Sequence, residues 1–176
     1  MERNPVKIAL KLATAAIFTA LVCVATLVFT VSIPATSGYF NLGETTIYIA
    51  ALLFGPFVGA FAGGVGAAIA DMLVAPQFAL GTLVIKGSEG IIVGFLNKIG
   101  RKTSKPDLGS IVSMIVGGTE MVLGYFIYEQ LVLSYPMATA LVEIPFNIVQ
   151  MLVGLIVAVI VVKIILFALP QLKSQG

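Results

Sequence analysis

Long apolar stretches, separated by short polar segments, make up most of the chain. They cover residues 6–30, 45–75, 80–99, 108–133 and 138–169. A helix needs about 20 mostly apolar residues to cross a membrane, and every stretch is long enough. Only 10% of the residues are charged, against roughly 25% in soluble domains, which is too few to cover a surface in water. The sequence therefore predicts an all-α integral membrane protein with one membrane domain over residues 1–176.

The second apolar stretch is too long for a single crossing. Its 31 residues would form a helix of about 46 Å, while the hydrocarbon core of a bilayer is about 30 Å thick. Gly55-Pro56 interrupts the stretch, and such a pair is typical of a turn. Dividing the stretch there predicts six membrane-spanning helices, over residues 6–30, 45–55, 56–75, 80–99, 108–133 and 138–169. The second helix is short, so we expect it to be stubby, to lie sunken among its neighbours or to continue into the loop, and its length indicates a cavity on the outer side.

The positions of the basic residues favour six crossings. Cytoplasmic loops of membrane proteins collect Lys and Arg. With six helices, every basic residue except Lys86 falls on one side of the membrane; these residues are Arg3, Lys7, Lys11, Lys98, Arg101, Lys102, Lys105, Lys163 and Lys173. Both termini are therefore predicted to lie on the cytoplasmic side.

Ionisable side chains occur inside the predicted helices, where they are costly and usually functional. They include Asp71, Lys86, Glu89, Glu120 and Glu143. Lys86 and Glu89 are one helical turn apart and share a face, and Asn147 and Gln150 extend a polar stripe that begins at Glu143. We expect these groups to face a pocket that opens to the outer side beneath a loop formed by residues 31–44. The alternative is that they pair with one another and hold the helices together.

The charge balance of this pocket limits its ligand. One Lys stands among four carboxylates, so a phosphate ester would meet net repulsion. Carboxylates and Asn side chains accept hydroxyl protons, which favours a neutral, hydroxyl-rich ligand or a cationic one. Tyr39, Phe40 and Tyr125 offer ring surfaces for stacking, or they anchor the protein at the membrane interface.

A stripe of small residues runs along the first helix. Ala9, Ala13, Ala16 and Ala20 are spaced by four, three and four residues, which places them on one face. Small faces let another helix approach closely. The partner of this face is either a helix of the same bundle or a separate membrane protein.

No catalytic or metal-binding motif accompanies the pocket. The chain has no His, one Cys and no P-loop, and it lacks the basic face that nucleic acid requires. We therefore predict no enzyme activity and no catalytic, metal, cofactor or nucleic-acid site. We predict a substrate-binding subunit that depends on a partner for energy. The alternatives are a structural subunit without a ligand and a membrane enzyme that uses a carboxylate pair such as Glu120 and Glu143.

Three elements of the sequence carry a family resemblance. They are Ala16-Ile17-Phe18-Thr19-Ala20; Tyr39-Phe40-Asn41-Leu42-Gly43-Glu44 with Leu53-Phe54-Gly55-Pro56, Gly63-Gly64-Val65-Gly66 and Asp71; and Lys86-Gly87 with Glu89-Gly90. With these elements the chain resembles the S components, the substrate-binding subunits of the energy-coupling factor (ECF) vitamin transporters of prokaryotes. The second element is similar to a stretch shared by the riboflavin-type branch of that family.

The resemblance implies a six-helix bundle with a vitamin site near the outer face of a prokaryotic cell membrane. It also implies a complex with two cytoplasmic ATPases and a transmembrane coupling subunit that docks on the small face of the first helix. Riboflavin, which is neutral and has a flat ring system and a hydroxylated chain, is the implied ligand; another vitamin such as thiamine is the alternative. The residues expected to bind it are Phe40, Asn41, Leu42, Asp71, Lys86, Glu89, Glu120, Tyr125, Glu143 and Asn147.

Overall fold

The computed structural model describes residues 5–100 and 106–174, and six helices account for most of them. They are α1 (Pro5–Val28), α2 (Gly43–Phe54), α3 (Pro56–Val74), α4 (Ala79–Gly100), α5 (Pro106–Leu131) and α6 (Met137–Ala168). A short 3-10 helix, Pro170–Ser174, follows. Five helices are long and apolar enough to cross a membrane, and the six predicted helices are confirmed with small shifts at their ends. Arg3, Arg101, Lys102 and Lys105, which support the predicted topology, lie outside the described residues.

Helix α2 is the short member of the bundle, as the sequence predicts. It has 12 residues and is therefore about 18 Å long. Its side chains supply much of the core, because Tyr48, Leu52 and Leu53 are at most 2% exposed. They pack in one cluster with Val93 of α4 and Met114 of α5. Longer helices thus enclose a segment that is too short to cross the bilayer, and they shield its ends from lipid.

Helix α3 begins directly after α2 and packs very close to α4. Gly55 turns the chain with a φ of 84°, a conformation that other residues rarely adopt, and Pro56 starts the helix. The stretch Phe61–Gly66 is a π-helical segment. A Cβ atom at Gly90 would overlap the backbone of Gly59, so glycine is needed for this contact. Glycines of α3 and α4 thus allow the two helices to approach closely.

Residues 31–44 differ from the prediction because they do not form a loop. Strands β1 (Thr30–Ile33) and β2 (Gly38–Asn41) pair as an antiparallel hairpin, with Thr30 opposite Asn41. Each strand has only four residues, and so short a run gives no clear alternation of apolar and polar positions. Glu44 does not belong to this segment either, since it lies in the first turn of α2 and is buried.

The two ends of the bundle differ in chemistry. At one end, the Lys11 ammonium lies 4.5 Å from the centre of the Phe57 ring, and Lys163 forms an ion pair with Asp107. The hairpin lies at the opposite end with the α3–α4 and α5–α6 connections, to which it is hydrogen-bonded. This arrangement agrees with the predicted topology, in which the basic residues share the cytoplasmic end.

Candidate ligand-binding site

A cavity of about 370 Å³ opens at the hairpin end of the bundle. The hairpin, the end of α3, the α3–α4 connection and helices α5 and α6 all contribute to it. The lining residues are Gly38, Tyr39, Asn41, Asp71, Phe78, Tyr125, Glu129, Glu143, Asn147 and Gln150.

The hairpin is fastened over this cavity by hydrogen bonds to α6. The Thr36 hydroxyl donates to the Glu143 carboxylate, and the Asn41 backbone N–H donates to Gln150 Oε1 at 2.9 Å. A Cβ atom at Gly38 would overlap the Glu143 carboxylate, so a larger residue here would displace that side chain. These side-chain hydrogen bonds hold the hairpin against α6 beside the cavity.

A second fastening joins the hairpin to α3. The Tyr39 hydroxyl donates to Asp71, which also accepts a hydrogen bond from Thr82 of α4. The Thr82 and Tyr125 hydroxyls are 2.8 Å apart, so the network continues to α5. Burial and the neighbouring Asp71 carboxylate raise the pKa of Tyr39 above its usual value. The Tyr39 hydroxyl therefore stays protonated and remains a donor at physiological pH.

The cavity is acidic. Asp71, Glu129 and Glu143 line it, and none of the described lining residues is Lys or Arg. The field of these carboxylates reaches the α5–α6 connection, where burial, together with the charges of Glu129 and Glu143, raises the pKa of Tyr135. The lining therefore suits a ligand that donates hydrogen bonds or carries positive charge, and it repels anions.

Aromatic rings form one wall of the cavity. The Phe78 ring centre lies 6.3 Å from that of Tyr125, in an edge-on arrangement, and 6.4 Å from that of Tyr128. The Tyr128 hydroxyl donates to the Gln77 carbonyl at 2.8 Å, which fixes the α3–α4 connection against α5. These rings offer apolar faces and edges for contact with a ring-shaped ligand.

Half of the predicted binding residues line the cavity. They are Asn41, Asp71, Tyr125, Glu143 and Asn147. The other predicted residues do not line it; they are Phe40, Leu42, Lys86, Glu89 and Glu120. Three lining residues were not predicted, namely Gly38, Phe78 and Glu129. Tyr39 and Gln150 also line the cavity; they were expected near the pocket but were not among the predicted binding residues.

Lys86 and Glu89 belong to a separate buried cluster. The Lys86 ammonium pairs with Glu44 and, at 3.2 Å, with Glu89. The Tyr48 hydroxyl donates to Glu89 at 3.2 Å. The ammonium lies 5.9 Å from the centre of the Tyr125 ring, so the cluster adjoins the cavity. Lys86 and Glu89 therefore match the alternative interpretation, in which the ionisable groups pair with one another and hold the helices together.

Glu120 lies at the α4–α5 contact but does not line the cavity. Its carboxylate accepts a hydrogen bond of 2.7 Å from the Ser88 hydroxyl. At 100° per residue, the nine positions that separate Glu120 from Glu129 turn the helix by two and a half turns. The two side chains therefore point to opposite faces of α5, and Glu129 is the one that lines the cavity.

The small face of α1 points away from the bundle. Ala9, Ala13, Ala16 and Ala20 are all exposed, whereas the buried α1 residues include Ala15. Packing inside the same bundle is therefore excluded for these four positions. A continuous strip of small side chains remains on the outer surface, where a second membrane protein has access to it.

Comparison with known proteins places these features in context. The family model described as "ECF-type riboflavin transporter, S component" matches residues 7–166. The thiamine precursor transporter HmpT of Lactococcus lactis subsp. cremoris is 33% identical over 150 residues, which are 84% of this chain and 82% of that protein. An uncharacterised protein of Pyrococcus woesei is 43% identical over 136 residues, covering 77% of this chain and 88% of the relative.

Two solved structures share the fold. One is the S component of a bacterial ECF transporter, with a TM-score of 0.69, 18% identity and coverage of 90% of this chain and 96% of that one. The other is the S component for biotin from an ECF-type ABC transporter, with a TM-score of 0.69, 21% identity and coverage of 100% and 96%. At these identities the likeness concerns the arrangement of the helices.

Proposed function

The chain belongs to the family of S components of ECF-type transporters, and on that basis we propose that it binds riboflavin in the cavity beneath the hairpin and delivers it for uptake. S components are transporter subunits that bind a vitamin and work with an ECF transmembrane and ATPase module. We place the protein in the cell membrane of a prokaryote, with the cavity facing outward, because the described basic residues Lys11 and Lys163 lie at the opposite end of the bundle.

The cavity lining is the observation that supports riboflavin as the ligand. Carboxylates and amides accept hydrogen bonds from hydroxyl and ring N–H groups, and riboflavin has both. The aromatic wall of Phe78 and Tyr125 suits its flat ring system. Since no described lining residue is a cation, the site favours the neutral vitamin over its phosphate ester.

Thiamine or a thiamine precursor is the second candidate. Two observations favour it: the 33% identity with a thiamine precursor transporter and the three carboxylates of the lining. Thiamine is cationic, and an acidic cavity with an aromatic wall attracts organic cations.

A binding panel on purified protein tests both candidates. Riboflavin is titrated into the protein in detergent, and binding is measured by the quenching of flavin fluorescence. Thiamine is titrated in the same way, and its binding is measured by calorimetry. We expect riboflavin to bind tightly and purified protein to retain a yellow ligand. Binding of thiamine alone would support the second candidate. If folded protein binds neither vitamin, the proposed substrate is wrong.

The exposed alanine face of α1 is proposed as the docking surface for the coupling subunit. Ala16→Trp and Ala20→Trp should abolish vitamin uptake by cells, because a large side chain prevents close helix approach, while binding in detergent is retained. Leu123→Trp, at an exposed position of α5, is the matched control and should leave uptake intact. An equal loss of binding and uptake in the alanine variants would contradict docking at this face.

A further inference from the structure

One acidic side chain of the cavity lacks a partner for one of its oxygens. Glu129 of α5 is 1% exposed, and its Oε2 atom is buried without a hydrogen-bond partner among residues 5–100 and 106–174. Burying an unpaired carboxylate is costly, and native proteins rarely leave such groups without a reason. Because Glu129 lines the cavity, the space that a ligand would occupy is where a partner can be supplied.

The surroundings of Glu129 add to this cost. Glu143 is close enough for the two negative charges to act on each other, and Asp71 is the third carboxylate of the same lining. Lys86, the basic side chain that adjoins Tyr125, is already paired with two other carboxylates. The protein therefore supplies no counter-charge to Glu129 within the described cavity lining.

The three cavity carboxylates differ in how many hydrogen bonds they already accept from the protein. Asp71 accepts from Tyr39 and Thr82, and Glu143 accepts from Thr36. Glu129 receives no such bond at Oε2, so it keeps the most acceptor capacity.

We propose that Glu129 accepts a hydrogen bond from an N–H group of the substrate. This inference rests on the proposed function, and both candidate vitamins carry such a group: riboflavin has a ring N–H, and thiamine has an amino group on its pyrimidine ring. Tyr125 lies four residues before Glu129 and on the same face of α5. A ring packed against Tyr125 and Phe78 can thus turn its edge towards the carboxylate. A positive charge on the ligand strengthens the bond.

Two variants of Glu129 test the proposal in the binding assays described above. Glu129→Gln keeps the size of the side chain but removes its charge, and it should weaken binding of the vitamin that wild-type protein binds by about tenfold. Glu129→Leu removes the acceptor as well and should weaken binding by up to about 100-fold. Asp107→Asn, which removes an exposed carboxylate from the opposite end of the same helix, is the control and should bind like wild type.

A ligand analogue identifies the bond itself. If riboflavin binds, an analogue methylated at the ring N–H should bind wild-type protein more weakly than riboflavin does. It should lose little further affinity in Glu129→Leu, because the bond is already absent. If thiamine binds, an analogue without the amino group serves the same purpose. Additive losses would overturn the assignment of this hydrogen bond to Glu129.

Stability without ligand gives an independent measurement. At a pH high enough to ionise Glu129, removing its unpaired buried charge should raise the thermal midpoint of ligand-free Glu129→Gln above that of wild type, even though the variant binds more weakly. A lowered midpoint would mean that Glu129 stabilises the ligand-free protein, and the proposal would be wrong. Wild-type affinity in both variants would overturn it while leaving the proposed function intact. Failure of wild-type protein to bind either vitamin would count against the proposed function, and the midpoint would still test the unpaired charge.

Discussion

Two groups of buried acidic residues adjoin each other in this bundle and differ in one respect. The cluster below the cavity combines Glu44 and Glu89 with the Lys86 ammonium. The cavity itself combines Asp71, Glu129 and Glu143 without a basic residue among its described lining. The first group has its counter-ion within the protein. The second group is left for a ligand to complete.

The difference shows how similar side chains acquire different roles. A buried carboxylate that is paired with a cation fixes the helices that carry it, since breaking the pair leaves an uncompensated charge. Carboxylates held without a counter-ion make the empty protein less stable, and they are ready to bind a donor that arrives from outside. Mutations in the two groups should therefore affect stability and ligand binding differently.

Replacing the central cation should have the largest effect. Lys86→Met leaves Glu44 and Glu89 buried without a counter-charge, and we expect it to lower the free energy of unfolding by about 3–5 kcal/mol. Thermal unfolding of purified protein in detergent measures this loss. Lys163→Met is the matched control, because Lys163 forms an exposed ion pair with Asp107 and should contribute less than about 1 kcal/mol. Wild-type stability of Lys86→Met would show that the cluster does not hold the helices.

Releasing the hairpin should have an intermediate effect on ligand binding. Thr36→Val removes the buried hydroxyl that donates to Glu143, and we expect ligand to dissociate about tenfold faster, because bonds to charged groups contribute about 1.5–3 kcal/mol. Stopped-flow displacement measures the rate. Thr30→Val, at an exposed position of the same hairpin, is the control. Equal rates in the two variants would mean that the Thr36–Glu143 bond does not retain the ligand.

The smallest expected effect concerns Tyr39 and pH. Its raised pKa keeps the hydroxyl protonated, so the bond to Asp71 is present below about pH 10 and is lost only as pH rises above that value. Wild-type affinity should therefore stay level between about pH 6 and 9 as far as Tyr39 is concerned. Tyr39→Phe should be weaker by a few-fold at every pH in this range. A loss of affinity near pH 9 in wild type that is absent from Tyr39→Phe would contradict the raised pKa.

The fold could be predicted from the sequence because its determinants are local. Apolar length and the Gly55-Pro56 pair define the six helices, and each is visible within a short window. The hairpin was missed because four-residue strands lack a recognisable pattern. The pairing of Lys86 with Glu44 joins residues 42 positions apart, and only the packing of α2 against α4 brings them together.

The cavity residues that could be predicted from the sequence are those that helical spacing places on one face. Helical spacing correctly grouped Glu143 and Asn147, and the same rule extends the stripe to Gln150. Tyr125 and Glu129, four residues apart, share a face of α5, whereas Tyr125 and Glu120 do not. Applied consistently, this rule identifies Glu129. Phe78 gives no such signal, because it lies in the α3–α4 connection and reaches the cavity through the tertiary fold.

The shortness of α2 determines the medium in which the ligand is held. A helix of 12 residues rises about 18 Å, and a bilayer core measures about 30 Å. Longer helices therefore enclose α2 and the cavity beside it. Burial among protein side chains lowers the local dielectric constant at the cavity floor below that of water. A hydrogen bond made there is electrostatically stronger than the same bond at an exposed surface, so a cavity of modest size can hold its ligand with few contacts.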